Sequence, residues 1–91
     1  MIASQAICKR LFKLTITPAQ CRGARAMINW SQSRLAEVAG IARATLTEFE
    51  AGKRAPIANN LAAIKTTLES AGIIFIEEDS EGPGVRLKKE K

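Results

Sequence analysis

The chain contains no histidine. The commonest general base and a common zinc ligand are therefore missing. Its two cysteines, Cys8 and Cys21, stand apart with no Cys-x-x-Cys pair, and two thiols without histidine do not build an ordinary zinc site. They read as free thiols of a reducing compartment. Aromatic residues are few: Phe12, Trp30, Phe49 and Phe75. No apolar stretch reaches the roughly 18 residues that a membrane-spanning helix needs. The opening, MIASQAICKRLFKL, places its charges after a short apolar run, the reverse of a secretory leader. Ser/His and Cys/His pairs, glycine-rich phosphate loops and paired carboxylates are all wanting. Nothing in the chain points to an enzyme, a cofactor or a metal.

What is present is a chain of 91 residues with an ordinary apolar fraction of 46%. That length makes one domain with a modest core, marginal enough alone for a dimer to be expected. The net charge is +5. It is unevenly spread: residues 1–76 hold ten basic side chains against Glu37, Glu48, Glu50 and Glu69, before the acidic run Glu77, Glu78, Asp79 and Glu81. A basic front suits a polyanionic partner. The acidic run reads as a solvated turn, its spacing fitting no metal loop.

Residues 1–14 show no clean period and read as a frayed arm or a short added helix; a basic arm can reach DNA phosphates or a minor groove. Thr17, Pro18 and Gln20 then predict a helix start. Threonine caps, proline at the first helical position loses nothing, and Gln20 completes a capping box. This first helix runs to about Ile28, with Cys21, Ala24 and Ile28 inward and Met27 beside them. Gly23 either weakens it or permits close packing. Ser31 caps a second helix over 32–39, with Leu35, Ala36 and Ala39 inward. Gly40 ends it in a left-handed turn and Ile41 packs into that turn. A third helix over about 42–51 turns Leu46 and Phe49 inward and stops at Gly52. Lys53, Arg54, Ala55 and Pro56 form the exit loop. A fourth starts at Asn59 or Asn60 and runs to about Ala71, with Leu61, Ile64, Leu68 and Ala71 in register. Ile73–Ile76 reads as a strand, residues 79–84 as a turn and Val85–Lys88 as a second strand with one wet face. A hairpin alone is barely stable, so it is expected to pack on the bundle or on a partner.

The informative stretch is SQSRLAEVAGIARATLTEFEAGKRAP, residues 31–56. Two short helices meet through a tight glycine turn, with small Ala36 at their crossing, as in a helix-turn-helix. Ser31-Gln32, Leu35-Ala36 and Gly40-Ile41, followed by Leu46, Glu50-Ala51-Gly52 and Pro56, resemble the Xre family of lambda-repressor and Cro-like domains over about residues 17–71. The resemblance implies a mainly α bundle of four or five helices, double-stranded DNA as partner, and a homodimer on a palindromic operator. With the readings above, the chain divides into an arm over 1–14, a DNA-binding domain over 15–71 and a hairpin tail over 72–91.

The resemblance also implies where DNA is touched. Gln32, Arg43, Ala44 and Thr47 become candidates for base contact, with Thr45 nearby. Arg43 can grip guanine O6 and N7, Thr47 can donate or accept at a base edge, and methyl groups of Thr47 or Ala44 can meet thymine. Arg34, Lys53 and Arg54 are phosphate candidates. Ser31, Ala36, Gly40, Ile41, Leu46, Glu50 and Gly52 carry the motif itself. Glu50 is read as a brace that holds the following loop through N–H groups or a nearby arginine, and Trp30 as packing. Ala42 departs from the family, which often has Ser, Thr or Gly at that cap. The function so implied is a sequence-specific transcriptional regulator, repressing by default, in the cytoplasm on the nucleoid. The alternative is an antitoxin-like or other protein-interaction module, gripping its partner by strand addition to the hairpin. The dimer face is open between the Ile74/Ile76 strand and the fourth helix.

Overall fold

A computed structural model describes residues 16–89. The expected arm over 1–14, with Cys8 and Phe12, lies outside the described residues. Within them, four helices precede a two-stranded antiparallel hairpin: α1 Pro18–Ile28, α2 Gln32–Ala39, α3 Arg43–Glu50, α4 Ala58–Ser70, β1 Ile73–Ile76 and β2 Gly84–Leu87.

The helix ends follow local chemistry. The Thr17 hydroxyl accepts from the Gln20 N–H at 3.0 Å, and the Thr17 N–H donates to Gln20 Oε1 at 2.9 Å, closing the capping box. Ser31 caps α2 by accepting from the Arg34 N–H at 3.0 Å. At its far end Gly40 turns left-handed at φ 75°, and the Ile41 N–H reaches back to the Ala36 carbonyl at 3.0 Å. That reversal, which a Cβ would disfavour, aims α3 across α2. Asn29 closes α1 in the same way at φ 60°, with the Trp30 N–H on the Arg25 carbonyl.

Two helices start where the side-chain signals alone do not put them. α3 begins at Arg43, and Ala42 is its extended cap residue with no side-chain hydrogen bond. Replacing Ala42 with serine is expected to stabilise the protein by about 0.5–2 kcal/mol, read as a raised urea midpoint with unchanged slope. α4 begins at Ala58, ahead of both asparagines, with Ile57 as an uncapped N-cap. The Ile57 carbonyl already takes the Leu61 N–H at 3.0 Å, leaving Asn59 and Asn60 inside the first turn.

The core is Ile16, Cys21, Ala24, Leu35, Ala36, Leu46, Phe49, Ile64, Leu68 and Ile73. Ile28, Trp30, Ile41, Leu61, Phe75 and Val85 pack around it, half-buried. Met27, three residues past Ala24 at the edge of the Cys21–Ala24–Ile28 stripe, is 44% exposed. Ala39 and Ala71 are half-buried rather than core.

The hairpin pairs Ile73 with Leu87, Ile74 with Arg86, Phe75 with Val85 and Ile76 with Gly84. β2 therefore starts at Gly84, one residue before the predicted strand, and Lys88 adds its N–H to the Gly72 carbonyl at 2.7 Å. The hairpin packs on the bundle. A Cβ added at Gly23 would sit 3.4 Å from Val85 Cγ2, so the glycine serves close approach of α1 to β2. Buried Gln20 donates its Nε2 to the carbonyls of Ile76 at 3.2 Å and Gly84 at 2.9 Å, tying the cap of α1 to both strands.

Candidate nucleic-acid interface

Leu46, Phe49 and Glu50 turn one side of α3 into the core. The opposite side presents Arg43, Ala44, Thr47 and Glu48, all exposed, with Thr45 half-buried beside them. The helical period thus gathers three of the four candidate base contacts on one outward face. Arg43 stands in the first turn with no side-chain partner among the described residues.

The fourth candidate, Gln32, opens α2 and reaches across to α3. Its Oε1 accepts from the Thr47 hydroxyl at 2.8 Å, and its Nε2 donates to Glu50 Oε1 at 3.0 Å. Gln32 and Thr47 are therefore one unit rather than two independent contacts.

Behind them lies Glu50, 2% exposed at the last position of α3. Arg25 of α1 clamps it with Nε on Oε2 and Nη2 on Oε1, both at 2.7 Å, and spends its Nη1 on the Trp30 carbonyl at 2.9 Å. The Cys21 thiol donates to Oε2 at 3.1 Å. Arg22 donates to the Glu50 backbone carbonyl, satisfying the helix end. Burial alone would raise the Glu50 carboxyl. Hydrogen bonds from Arg25, Gln32 and Cys21, with the Arg25 charge, outweigh it and hold the group below the usual carboxylate value. Its bond to Glu50 raises Arg25 against the opposing effect of burial. Burial, reinforced by Glu50, pushes the free Cys21 thiol far up and keeps it protonated. Glu50 does pair with an arginine, Arg25, but its carboxylate braces α3 against α1 and α2 and not, as the sequence reading expects, the loop that follows. The Cys21 and Gln32 bonds to it carried no sequence signal, because each joins residues 18 or more apart.

The phosphate candidates lie on α2 and in the loop leaving α3. Arg34 lies in the first turn of α2, its guanidinium 5.5 Å from the Trp30 ring centroid and 3.7 Å from Glu37. Trp30 is half-buried against the core, as its packing role requires. Lys53 and Arg54 are exposed in the loop leaving α3, where Arg54 Nε lies 3.9 Å from Glu48 Oε1. These exposed ion pairs are weak and leave the cations free to exchange partners.

Two short helices joined by a tight turn at Gly40 and Ile41, with the second one's outer face polar and cationic at its start, define a helix-turn-helix of the DNA-binding kind. A helix-turn-helix family model matches residues 22–68, just over half of the chain, and the protein belongs to that family. The match agrees with the resemblance to Xre, lambda-repressor-like regulators. Members are DNA-binding regulators and not enzymes. A search among curated proteins finds no significant match. Among the described residues, no His, Cys, Asp and Glu cluster could hold a metal, and no helix is long and apolar enough to cross a membrane.

Proposed function

We propose that the protein is a sequence-specific repressor that binds a palindromic operator as a homodimer on the nucleoid. One observation carries this reading: α3 is locked from behind by Leu46, Phe49 and Glu50 while Arg43, Ala44 and Thr47 stand together on its free face. A rigid helix with a cation in its first turn and short side chains after it can lie close to base edges in a major groove. Arg43 reads guanine O6 and N7, while Lys53, Arg54 and Arg34 hold phosphates on either side. A single such helix covers few base pairs, so two copies on half-sites about one helical turn apart supply the remaining specificity.

The test is selection from random duplex DNA at two salt concentrations. A palindromic motif is expected. Arg43→Ala should relax one guanine position at a cost of about 1–3 kcal/mol, while Lys53→Ala should weaken all sequences alike and flatten the salt dependence. Failure to enrich any sequence, with weak binding lost at moderate salt, would overturn the proposal. The second reading, a protein partner added to the hairpin, would then lead; Ile74 at 41% and Leu87 at 46% exposure favour it.

A further inference from the structure

Thr47 can in principle donate to a base or accept from one. The contacts behind it remove that freedom. Glu50 is buried and clamped by Arg25 through both oxygens. An ionised carboxylate has no hydrogen to give, so the Gln32 group 3.0 Å from it is necessarily the amide NH2. This fixes which end of the amide faces which partner. Gln32 Oε1 then lies on the Thr47 side, 2.8 Å from the hydroxyl. That oxygen has no hydrogen either, so the one between them belongs to Thr47. A hydroxyl has only one.

We infer that Glu50 sets the hydrogen-bonding polarity of Thr47 through Gln32, so that Thr47 faces DNA as an acceptor and selects a base offering an amino group. In the major groove those are adenine, through N6, and cytosine, through N4; guanine and thymine present O6, N7 and O4, which are acceptors. Thr47 would thus discriminate against guanine and thymine at its position, although its methyl group alone would favour thymine. The inference rests on the DNA-binding reading, and it makes Glu50 and Gln32 positioning residues for Thr47. Ionisation of Glu50 supports it, since Arg25, Gln32 and Cys21 together hold that carboxyl down against burial.

Two experiments separate the relay from the DNA reading. In the free protein, NMR should find one Gln32 Nε2 proton shifted downfield of an ordinary glutamine amide and following the acid titration of Glu50. Two solvent-like amide protons would overturn the relay, whatever the protein does with DNA. Selection from random duplex is then run on wild type, Thr47→Val, Thr47→Ser and Gln32→Leu. Wild type and Thr47→Ser should share an adenine or cytosine preference that Thr47→Val flattens roughly three- to tenfold, the scale of one hydrogen bond. Gln32→Leu frees the hydroxyl hydrogen and should admit guanine and thymine at that position. The exposed Thr47→Val change keeps the test decisive should Gln32→Leu fold poorly. Overturning results are a guanine or thymine preference at the position that Thr47→Val disturbs, a motif that ignores Thr47→Val, or a folded Gln32→Leu protein with unaltered preference. Should wild type enrich no motif, the DNA reading falls and base selection by Thr47 falls with it; the NMR result still decides whether the relay exists.

Discussion

Arg25→Met is expected to cost about 3–5 kcal/mol of folding free energy, because it strands a buried carboxylate. Glu50 sits 2% exposed at the C-terminal end of α3, where the helix dipole also disfavours a negative charge. Arg25 supplies both of its shortest hydrogen bonds. Small domains have about 5–15 kcal/mol in total, so the variant should lose a large share of its stability. Acid behaviour gives a sharper signature than the loss itself. In wild type the folded Glu50 pKa lies below its ordinary value. Its contribution is therefore complete above the unfolded value of about 4.3 and is lost as pH falls through the lower folded value. Without Arg25, burial becomes the leading influence and the folded pKa should rise above the unfolded one. The Glu50 contribution would then be present at low pH and be lost as pH rises. Urea midpoints of the two proteins should accordingly converge on acidification. A gap that stays constant or widens between pH 7 and pH 4 would show that Arg25 does not act on Glu50 ionisation. Replacing Arg25 and Glu50 together by apolar residues of similar volume should recover most of the loss, since no charge is left stranded. It should also release Gln32 and Thr47, separating stability from base selection.

Leu46→Ala is expected to cost about 2–5 kcal/mol, and to fall most heavily on the helix that carries the candidate interface. α3 has eight residues, below the roughly 12–15 at which an isolated helix becomes even marginal in water. It also has no side-chain cap at Ala42. Its local support is confined to the left-handed Gly52 stop, where the Lys53 N–H closes on the Glu48 carbonyl, so packing of Leu46 and Phe49 into the core is what holds it. Leu46 is fully buried, so truncation leaves a void lined by neighbours that relax only in part. Chemical denaturation should show a lower midpoint with little change in slope. Hydrogen exchange of the α3 amides should accelerate more than that of α1, whose capping box is intact. A loss under about 1 kcal/mol would mean that the site collapses around the smaller side chain. Ala44 lies on the same helix but faces outward, and a Leu46-sized effect is not expected there.

Much of the candidate site's framework was legible because the helix-turn-helix is written in short-range chemistry. Ser31 and Gly40 act within a few residues of themselves, through a cap and a left-handed turn. Leu46, Phe49 and Glu50 mark one face of α3, so Arg43, Ala44 and Thr47 had to mark the other. Other details were misplaced. Met27 stands at the edge of the buried stripe, three residues past Ala24, and is left 44% exposed. α4 starts ahead of its asparagines, at an extended Ile57 N-cap that uses no side chain. Gly84 joins the second strand because it faces Ile76, a relation that spans the turn.

Read alone, the chain determined its class: four amphipathic segments, their stops, a hairpin signal and the motif between residues 31 and 56, all carried by neighbours within a turn or two. Tertiary structure decided what those pieces do to one another. Gln20 looked like a cap, and only the docked hairpin gives its amide the carbonyls of Ile76 and Gly84. Glu50 looked like a brace, and only the crossing of α1, α2 and α3 brings Arg25, Cys21 and Gln32 to its two oxygens. Hydrogen-bond direction is passed along such contacts from one group to the next. The polarity of Thr47 is therefore a property of the packed core, while its place on the outer face is a property of helical period.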